Sequence, residues 1–190
     1  MKELVLASNN KHKIKEIQNI LTEYMILSLH DIGFKEEIEE TGITFEENSL
    51  IKARRVAEFS GKMTIADDSG LCVERLNNEP GVYSARYSQS GDDEDNLQKV
   101  LEKLQGEESL AKYVCVISLI DKNKNEYTFT GECHGKIITK KQGNNGFGYD
   151  PIFFVESLNK TFAEVSSEEK NKISHRKKAL DKLCDYLTQI

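Results

Sequence analysis

The chain has 190 residues, with 26 Lys and Arg against 32 Asp and Glu, a formal net charge of -6, and no Trp. That length suits one domain with a sizeable core. The acidic balance argues against a protein that coats nucleic acid, and aliphatic residues spread without low-complexity tracts argue against disorder. The apolar run Leu4-Val5-Leu6-Ala7 stops at Ser8-Asn9-Asn10, too short for a signal core or a membrane span. Cys72, Cys115, Cys133 and Cys184 form no CxxC pair, so free thiols in a reducing cytoplasm are expected.

Residues 3–7 read as a short buried strand, followed by a polar turn and a helix over 11–22 with Ile14, Ile17, Ile20 and Leu21 on its apolar stripe. Thr44-Phe45-Glu46-Glu47 fits a capping box, and Leu50, Ala53, Val56 and Ala57 of the helix it opens would face the core. Residues 63–66 read as a second buried strand ending at Asp67-Asp68-Ser69-Gly70, with extended structure resumed at Leu71-Cys72-Val73. Gly91-Asp92-Asp93 opens a helix carrying Leu97, Val100, Leu101 and Leu104. Residues 112–120 and 126–132 form a hairpin around Lys122-Asn123-Lys124-Asn125. The glycine-rich stretch 143–148 leads through Tyr149-Asp150-Pro151 into a strand over 152–155. From Ser166 the chain is helical, with Leu180, Leu183 and Leu187 as its late apolar row. Strands alternating with helices, plus one hairpin, predict an α/β fold with a mixed sheet and helices on its faces.

Several stretches hold residue types that chemistry needs. Ser8-Asn9-Asn10-Lys11-His12-Lys13 joins a strand to a helix, where N–H groups, short polar side chains and the helix dipole favour an anion; Lys13 adds a point charge. The plainer alternative is an Asn N-cap followed by solvated lysines. Asp67 and Asp68 follow an apolar strand, at the sheet end where α/β proteins place ligands. One acid would face the site, holding a hard cation or orienting a water, while its neighbour anchors structure. An Asx-type turn explains Ser69-Gly70 as well. One member of the acidic run Glu36-Glu37-Ile38-Glu39-Glu40 would share a metal with Asp68, the rest being a solvated face. Lys52 lies in the second turn of the capped helix, where an exposed lysine is the ordinary case.

Phe147, between Gly146 and Gly148, is either a stacking platform for a base or part of a loop folded over its own core. On one unbroken helix Lys170 and His175 would lie about 140° apart. Ser174 is a good N-cap, so a short helix, a break near Ser174 and a second helix from His175 are expected. That break would put His175 and Arg176 in a first turn, free to meet a ligand; one continuous Lys-rich surface helix is the alternative.

Six motifs stand in order: Ser8-x-Asn10-x-x-Lys13; Glu40-Thr41-Gly42 with Phe45, Asn48 and Lys52; Ile65-Ala66-Asp67-Asp68-Ser69-Gly70-Leu71; Pro80-Gly81-Val82-Tyr83-Ser84-Ala85-Arg86-Tyr87; Gly146-Phe147-Gly148-Tyr149-Asp150-Pro151; and Lys170 through Ser174-His175-Arg176. Together they resemble the inosine triphosphate pyrophosphatase family over nearly the whole chain. The resemblance implies an elongated mixed β-sheet flanked by helices, two lobes around a nucleotide-binding cleft, one domain over 1–190 and a cytoplasmic homodimer. It implies Mg²⁺-dependent hydrolysis of ITP, dITP and XTP, non-standard purine triphosphates, to monophosphate and pyrophosphate, cleansing the nucleotide pool.

Carried over by position, Asp68 would be general base and metal-associated acid, with Glu40 its metal partner. The turn Ser8, Asn9, Asn10, Lys11, His12, Lys13 would line the substrate. Within it Ser8, Asn10 and Lys13 would hold the triphosphate together with Lys52 and Lys170, and Ser69 would lie alongside. A solvated side chain, not a catalytic one, is expected at His12. Phe147 would stack on the base, with Gly148 and Tyr149 in the same loop; Tyr149 stands where some relatives carry Trp. Asp150, His175 and Arg176 would surround the base edge, His175 and Arg176 donating to the six-carbonyl that adenine lacks. Rival readings are a pyrophosphatase for pyrimidine or modified-base triphosphates and a non-hydrolytic nucleotide-binding module. RNA or membrane partners are not expected from the net charge and the short apolar runs.

Overall fold

The computed structural model describes residues 2–189. In chain order it has strand β1 (Lys2–Leu6), helix α1 (Lys11–Ile20), β2 (Tyr24–Leu27), α2 (Phe45–Ser60), β3 (Thr64–Val73), α3 (Asp93–Leu104), β4 (Ser109–Ile120), β5 (Glu126–Ile137), β6 (Phe153–Val155), β7 (Lys160–Thr161), α4 (Ser167–Ile173) and α5 (His175–Leu187). The strands form one seven-stranded sheet in the order β2-β1-β3-β4-β5-β6-β7. β1 is parallel to both β2 and β3, whereas β6 is antiparallel to β5 and β7, so the sheet is mixed and the fold is α/β.

The chain packs as two compact units. The first comprises the chain up to Asp68, Cys115–Gly131 and the chain from Arg176 onward. Within it β1 is buried on both faces, as a central parallel strand must be. Leu4 and Leu6 pack with Ile17 of α1, Ile117 and Leu119 of β4, and Ala179, Leu180 and Leu183 of α5. Val5 turns the other way, toward Ala53 and Val56 of α2 and Ala66 of β3. The helices therefore cover both faces of the parallel strands, which is why a continuous apolar run suffices to specify β1. The second unit, Ser69–Val114 and Glu132–His175, has its own core of Leu71, Leu97, Val100, Tyr113, Ile137, Phe153 and Phe162. The Tyr113 and Phe153 rings there lie 4.6 Å apart.

The helix ends follow their local chemistry. Thr44 and Glu47 form the expected capping box on α2, which stops at Gly61 in the left-handed region at φ 64°. Asp92 caps α3, and Ser166 with Glu169 caps α4. At Ser174 the backbone turns extended (φ −65°, ψ 155°) between α4 and α5. The continuous surface helix is thus replaced by the expected break.

Several elements differ from the sequence reading: β4 starts earlier, at Ser109, β5 runs on to Ile137, and β7 was not foreseen. β2, only four residues long, carries too short an alternation to be read in advance. α1 ends at Ile20 with Leu21 as its C-cap, short of residue 22. The strand placed at 63–66 does not end at the tandem aspartates: β3 runs unbroken from Thr64 to Val73, with Asp67 and Asp68 buried inside it, so no Asx turn forms at Ser69-Gly70. The reason is pairing, because Asp67 and Asp68 have cationic partners that make burial in a strand tolerable.

Candidate active site

β1 and β3 pair through Leu6 and Ile65, after which the chain of β1 turns away at Ser8 while β3 continues. Asp67 and Asp68 therefore stand just past the carboxyl end of a parallel strand, although they lie within a strand themselves. Alternation sends the neighbouring side chains to opposite faces. The Asp67 side chain is fully buried and pairs with Lys13 Nζ and with Arg176 Nε at 2.8 Å. Cys115 Sγ donates to its Oδ2 at 3.1 Å. Burial works against its ionised form, but Arg176 and Lys13 outweigh it and hold Asp67 well below the usual carboxylate range.

Asp68 meets a different set. Its Oδ1 is 3.3 Å from Lys52 Nζ, which also lies 2.7 Å from Glu40 Oε1 and donates to the Asp67 carbonyl at 3.0 Å. Burial raises Asp68 above the ordinary carboxylate range, with Lys52 and Lys13 pulling the other way. Burial also opposes the charge on Lys52, yet Asp68 and Glu40 keep it more basic than a free lysine. Lys52 reaches this point because α2 begins at the Thr44 cap, so residue 52 falls two turns in, on the side facing β3. Asp68 Oδ2 is buried and makes no hydrogen bond.

The turn before α1 is ordered by its own side chains. Asn10 Oδ1 accepts the N–H groups of His12 and Lys13, Ser8 Oγ accepts that of Asn10, and Asn9 Oδ1 accepts that of His30. The N-cap alternative thus describes Asn10 correctly. α1 has no acidic residue in its first turn, where it carries Lys11, His12 and Lys13 instead. Cations at that end oppose the helix dipole. Lys11 and His12 are exposed, whereas Lys13 turns inward to Asp67.

The second unit holds the other group of predicted residues. Asp150 is buried, and its Oδ2 accepts from Lys170 Nζ at 2.6 Å and from the Phe147 N–H at 3.1 Å; Tyr113 OH donates to its Oδ1 at 3.3 Å. Lys170 Nζ also lies 4.8 Å from the centre of the half-buried Phe147 ring. His175 stacks on Tyr113 with ring centroids 4.7 Å apart and planes within 10°. Burial, then Asp150, raise the Tyr113 hydroxyl well above an ordinary phenol, so it stays a donor. Tyr149 is buried and donates to the Ser84 carbonyl at 2.6 Å, and Gly148 N–H donates to Asp93 Oδ2 at 2.9 Å. Ser69, half-buried, follows Asp68 on β3.

The structure thus brings Glu40, Lys52, Asp68 and Lys13 together, and separately Phe147, Asp150, Lys170 and His175. Two placements differ from expectation. Lys170, assigned to the triphosphate, is bound to Asp150 beside Phe147. Arg176, assigned to the base edge, is buried against Asp67 and Glu16 because two carboxylates compete for its guanidinium. Asp67 is the structural anchor expected of one acid in the tandem pair, whereas sequence reasoning missed Glu16, which pairs with Arg176, the thiol donor Cys115, and Tyr113. The last two alternate along β4, a period-two signal submerged in an apolar run.

A divalent cation suits the first group. Glu40 and Asp68 share one lysine, and the bare Asp68 Oδ2 is a hard oxygen donor without a partner. Among the described residues no cluster of three or more His, Cys, Asp or Glu could cage a metal. Two carboxylates without a cage are what Mg²⁺ uses when substrate phosphates and waters supply its other ligands.

The carboxylate–lysine group past the end of β1 stands where open α/β sheets bind their ligands, which defines an α/β protein with a polar, charged site at its strand ends. The chain belongs to the Ham1 family, whose model matches residues 4–186. It is 48% identical over 193 residues to a dITP/XTP pyrophosphatase of Bacillus subtilis, covering 98% of each chain. It is 46% identical over 202 residues to a dITP/XTP pyrophosphatase of Clostridium perfringens, covering 100% of this chain and 99% of that one. The solved Ham1 protein of Staphylococcus aureus superposes with a TM-score of 0.91 at 44% identity, covering 99% of both chains.

Proposed function

We propose that the whole chain works as one nucleoside-triphosphate pyrophosphatase domain that hydrolyses ITP, dITP and XTP to the monophosphate and pyrophosphate, clearing these nucleotides from the pool. The full-length relatives named dITP/XTP pyrophosphatase support the reaction class. The observation that carries the mechanism is Asp68: a buried carboxylate with one oxygen beside Lys52 and the other unpartnered.

The triphosphate tail carries about four negative charges, which cations must offset before it is cut. Lys13 and Lys52 supply two fixed ammonium groups, and the Ser8–Asn10 turn supplies neutral donors. Asp68 accepts the proton of a water directed at the α-phosphorus, the ordinary task of a general base whose pKa burial has raised. Mg²⁺, held by Glu40 and Asp68, would offset charge on the phosphates and on the leaving pyrophosphate.

Base selection falls to the second group. Phe147 offers a ring for stacking, worth about 1–3 kcal/mol per base. The buried Asp150–Lys170 pair sets an acceptor beside a donor. Hypoxanthine and xanthine present an N–H beside a carbonyl, the complementary order, whereas adenine presents a bare nitrogen beside an amino group. A site built on such pairing rejects the mismatched ring by about 10⁴. A homodimer and a cytoplasmic address belong to the same proposal and rest on the resemblance. No helix among the described residues is long and apolar enough to cross a membrane.

Pyrophosphate release from ITP, dITP, XTP, ATP, dTTP and UTP in excess Mg²⁺ tests this reading. Preference for the first three supports it. Preference for pyrimidines, or binding of ITP without turnover, would replace it with one of the two rival readings.

A further inference from the structure

The Asp67 carboxylate has no exposed side-chain surface, and burying such a charge is costly unless it is fully paired. Its pairing is spread over three other elements. Oδ1 takes Lys13 Nζ from the first turn of α1, while Oδ2 takes Arg176 Nε from the first turn of α5 and the Cys115 thiol from β4. The Asp67 backbone carbonyl in addition receives Lys52 Nζ at 3.0 Å and Lys13 Nζ at 3.4 Å. Both phosphate lysines of the first unit are therefore moored to one residue. Lys13 keeps 16% of its side-chain exposure, so the side chain is held by Asp67 without being wholly sealed from solvent.

We propose that Asp67 is a positioning residue for the polyphosphate: it does not touch substrate but fixes the Lys13 ammonium in place before phosphate arrives. The proposal rests on the reading of Lys13 as a phosphate ligand. A long lysine side chain left free must be ordered on binding, which costs about two- to tenfold in affinity for one such chain. Arg176 grips both oxygens, Nε on Oδ2 and Nη2 on Oδ1 at 3.5 Å, and the Cys115 thiol donates to Oδ2, which together fix the orientation of the carboxylate that holds Lys13. Lys52 is moored through the backbone carbonyl, which substitution of the Asp67 side chain leaves in place.

The test is a double-mutant cycle on the full chain with Asp67→Asn, Lys13→Met and both, read as KM for ITP and as calorimetric affinity for tripolyphosphate. Asp67→Asn should raise KM and weaken tripolyphosphate binding about threefold or more. On the Lys13→Met background the same change should add less than about twofold, because the group it positions is gone. A merely structural Asp67 would lower the active fraction and kcat while leaving KM and tripolyphosphate affinity unmoved, and that result overturns the proposal. So does a full multiplicative effect on both backgrounds. Should Asp67→Asn not fold, Cys115→Ala removes the thiol donor and leaves every charge paired. Its smaller rise in KM must likewise vanish on Lys13→Met, and either no rise or an undiminished one overturns the proposal. A wild-type protein that binds tripolyphosphate but leaves ITP uncut would defeat the reading of the reaction instead, and the coupling would still be read from binding.

Discussion

Lys52 Nζ stands 3.3 Å from one oxygen of Asp68, while the second oxygen of Asp68 is buried and makes no hydrogen bond. A buried carboxylate oxygen without a hydrogen bond is costly, and a water or a cation reaching it would relieve that cost. Asp68→Asn keeps the shape and removes the base. It should lower kcat by about 10² or more, the usual weight of a general base, with KM for ITP little changed. Steady-state kinetics check this, and a loss of less than threefold would leave Asp68 a structural acid only.

The metal reading predicts a second, separable defect. Glu40 and Asp68 both pair with Lys52. Glu40→Gln should raise the Mg²⁺ concentration for half-maximal rate about tenfold, one lost charge-assisted contact. At saturating metal much of the wild-type rate should return, and a chelator should abolish turnover in both proteins. Unchanged activity in excess chelator would remove the metal from the account.

Phe147 is half-buried under the Lys170 ammonium, with one face of its ring so occupied. Phe147→Ala should raise KM for ITP by about tenfold, the scale of one lost stack, and leave kcat within about threefold. The affinity for tripolyphosphate, which has no base, should not change. An equal loss for both ligands would mean that the loop has collapsed.

Asp67 makes stability depend on pH. Arg176 and Lys13 outweigh its burial and hold its folded pKa well below the unfolded value of about 4. A depressed carboxylate contributes stability above the unfolded pKa and loses it as pH falls through the folded one. Urea midpoints should therefore fall steeply below about pH 4 in wild type and more gently in Asp67→Asn, which has no such group to protonate.

The four thiols offer a check on the packing. Cys72, Cys115 and Cys133 are buried, and burial raises the Cys115 thiol well above its ordinary value. Cys184 is partly exposed. Iodoacetamide at neutral pH should label Cys184 first in the folded protein and all four only in denaturant, as mass spectrometry would show.

What could be read in advance depended on how local the cause is. Thr44 with Glu47, Ser166 with Glu169 and the break at Ser174 involve residues within one turn of each other, so the capping chemistry was legible. The course of β3 through Asp67 and Asp68 was not, because it depends on partners far along the chain: Arg176 lies 109 residues from Asp67. The same holds for Lys170 and Arg176. The carboxylate each would choose was not readable, since Asp150 comes within reach of Lys170, and Asp67 within reach of Arg176, only once the chain is folded. β2 was too short to show a period.

The central claim is that water, directed by Asp68, attacks the α-phosphorus of a keto-purine triphosphate. Hydrolysis of ITP in ¹⁸O-labelled water, with mass analysis of both products, tests it most directly. The account predicts the label in the inosine monophosphate, with unlabelled pyrophosphate. Label in the pyrophosphate, or release of inosine diphosphate and single phosphate, would contradict it.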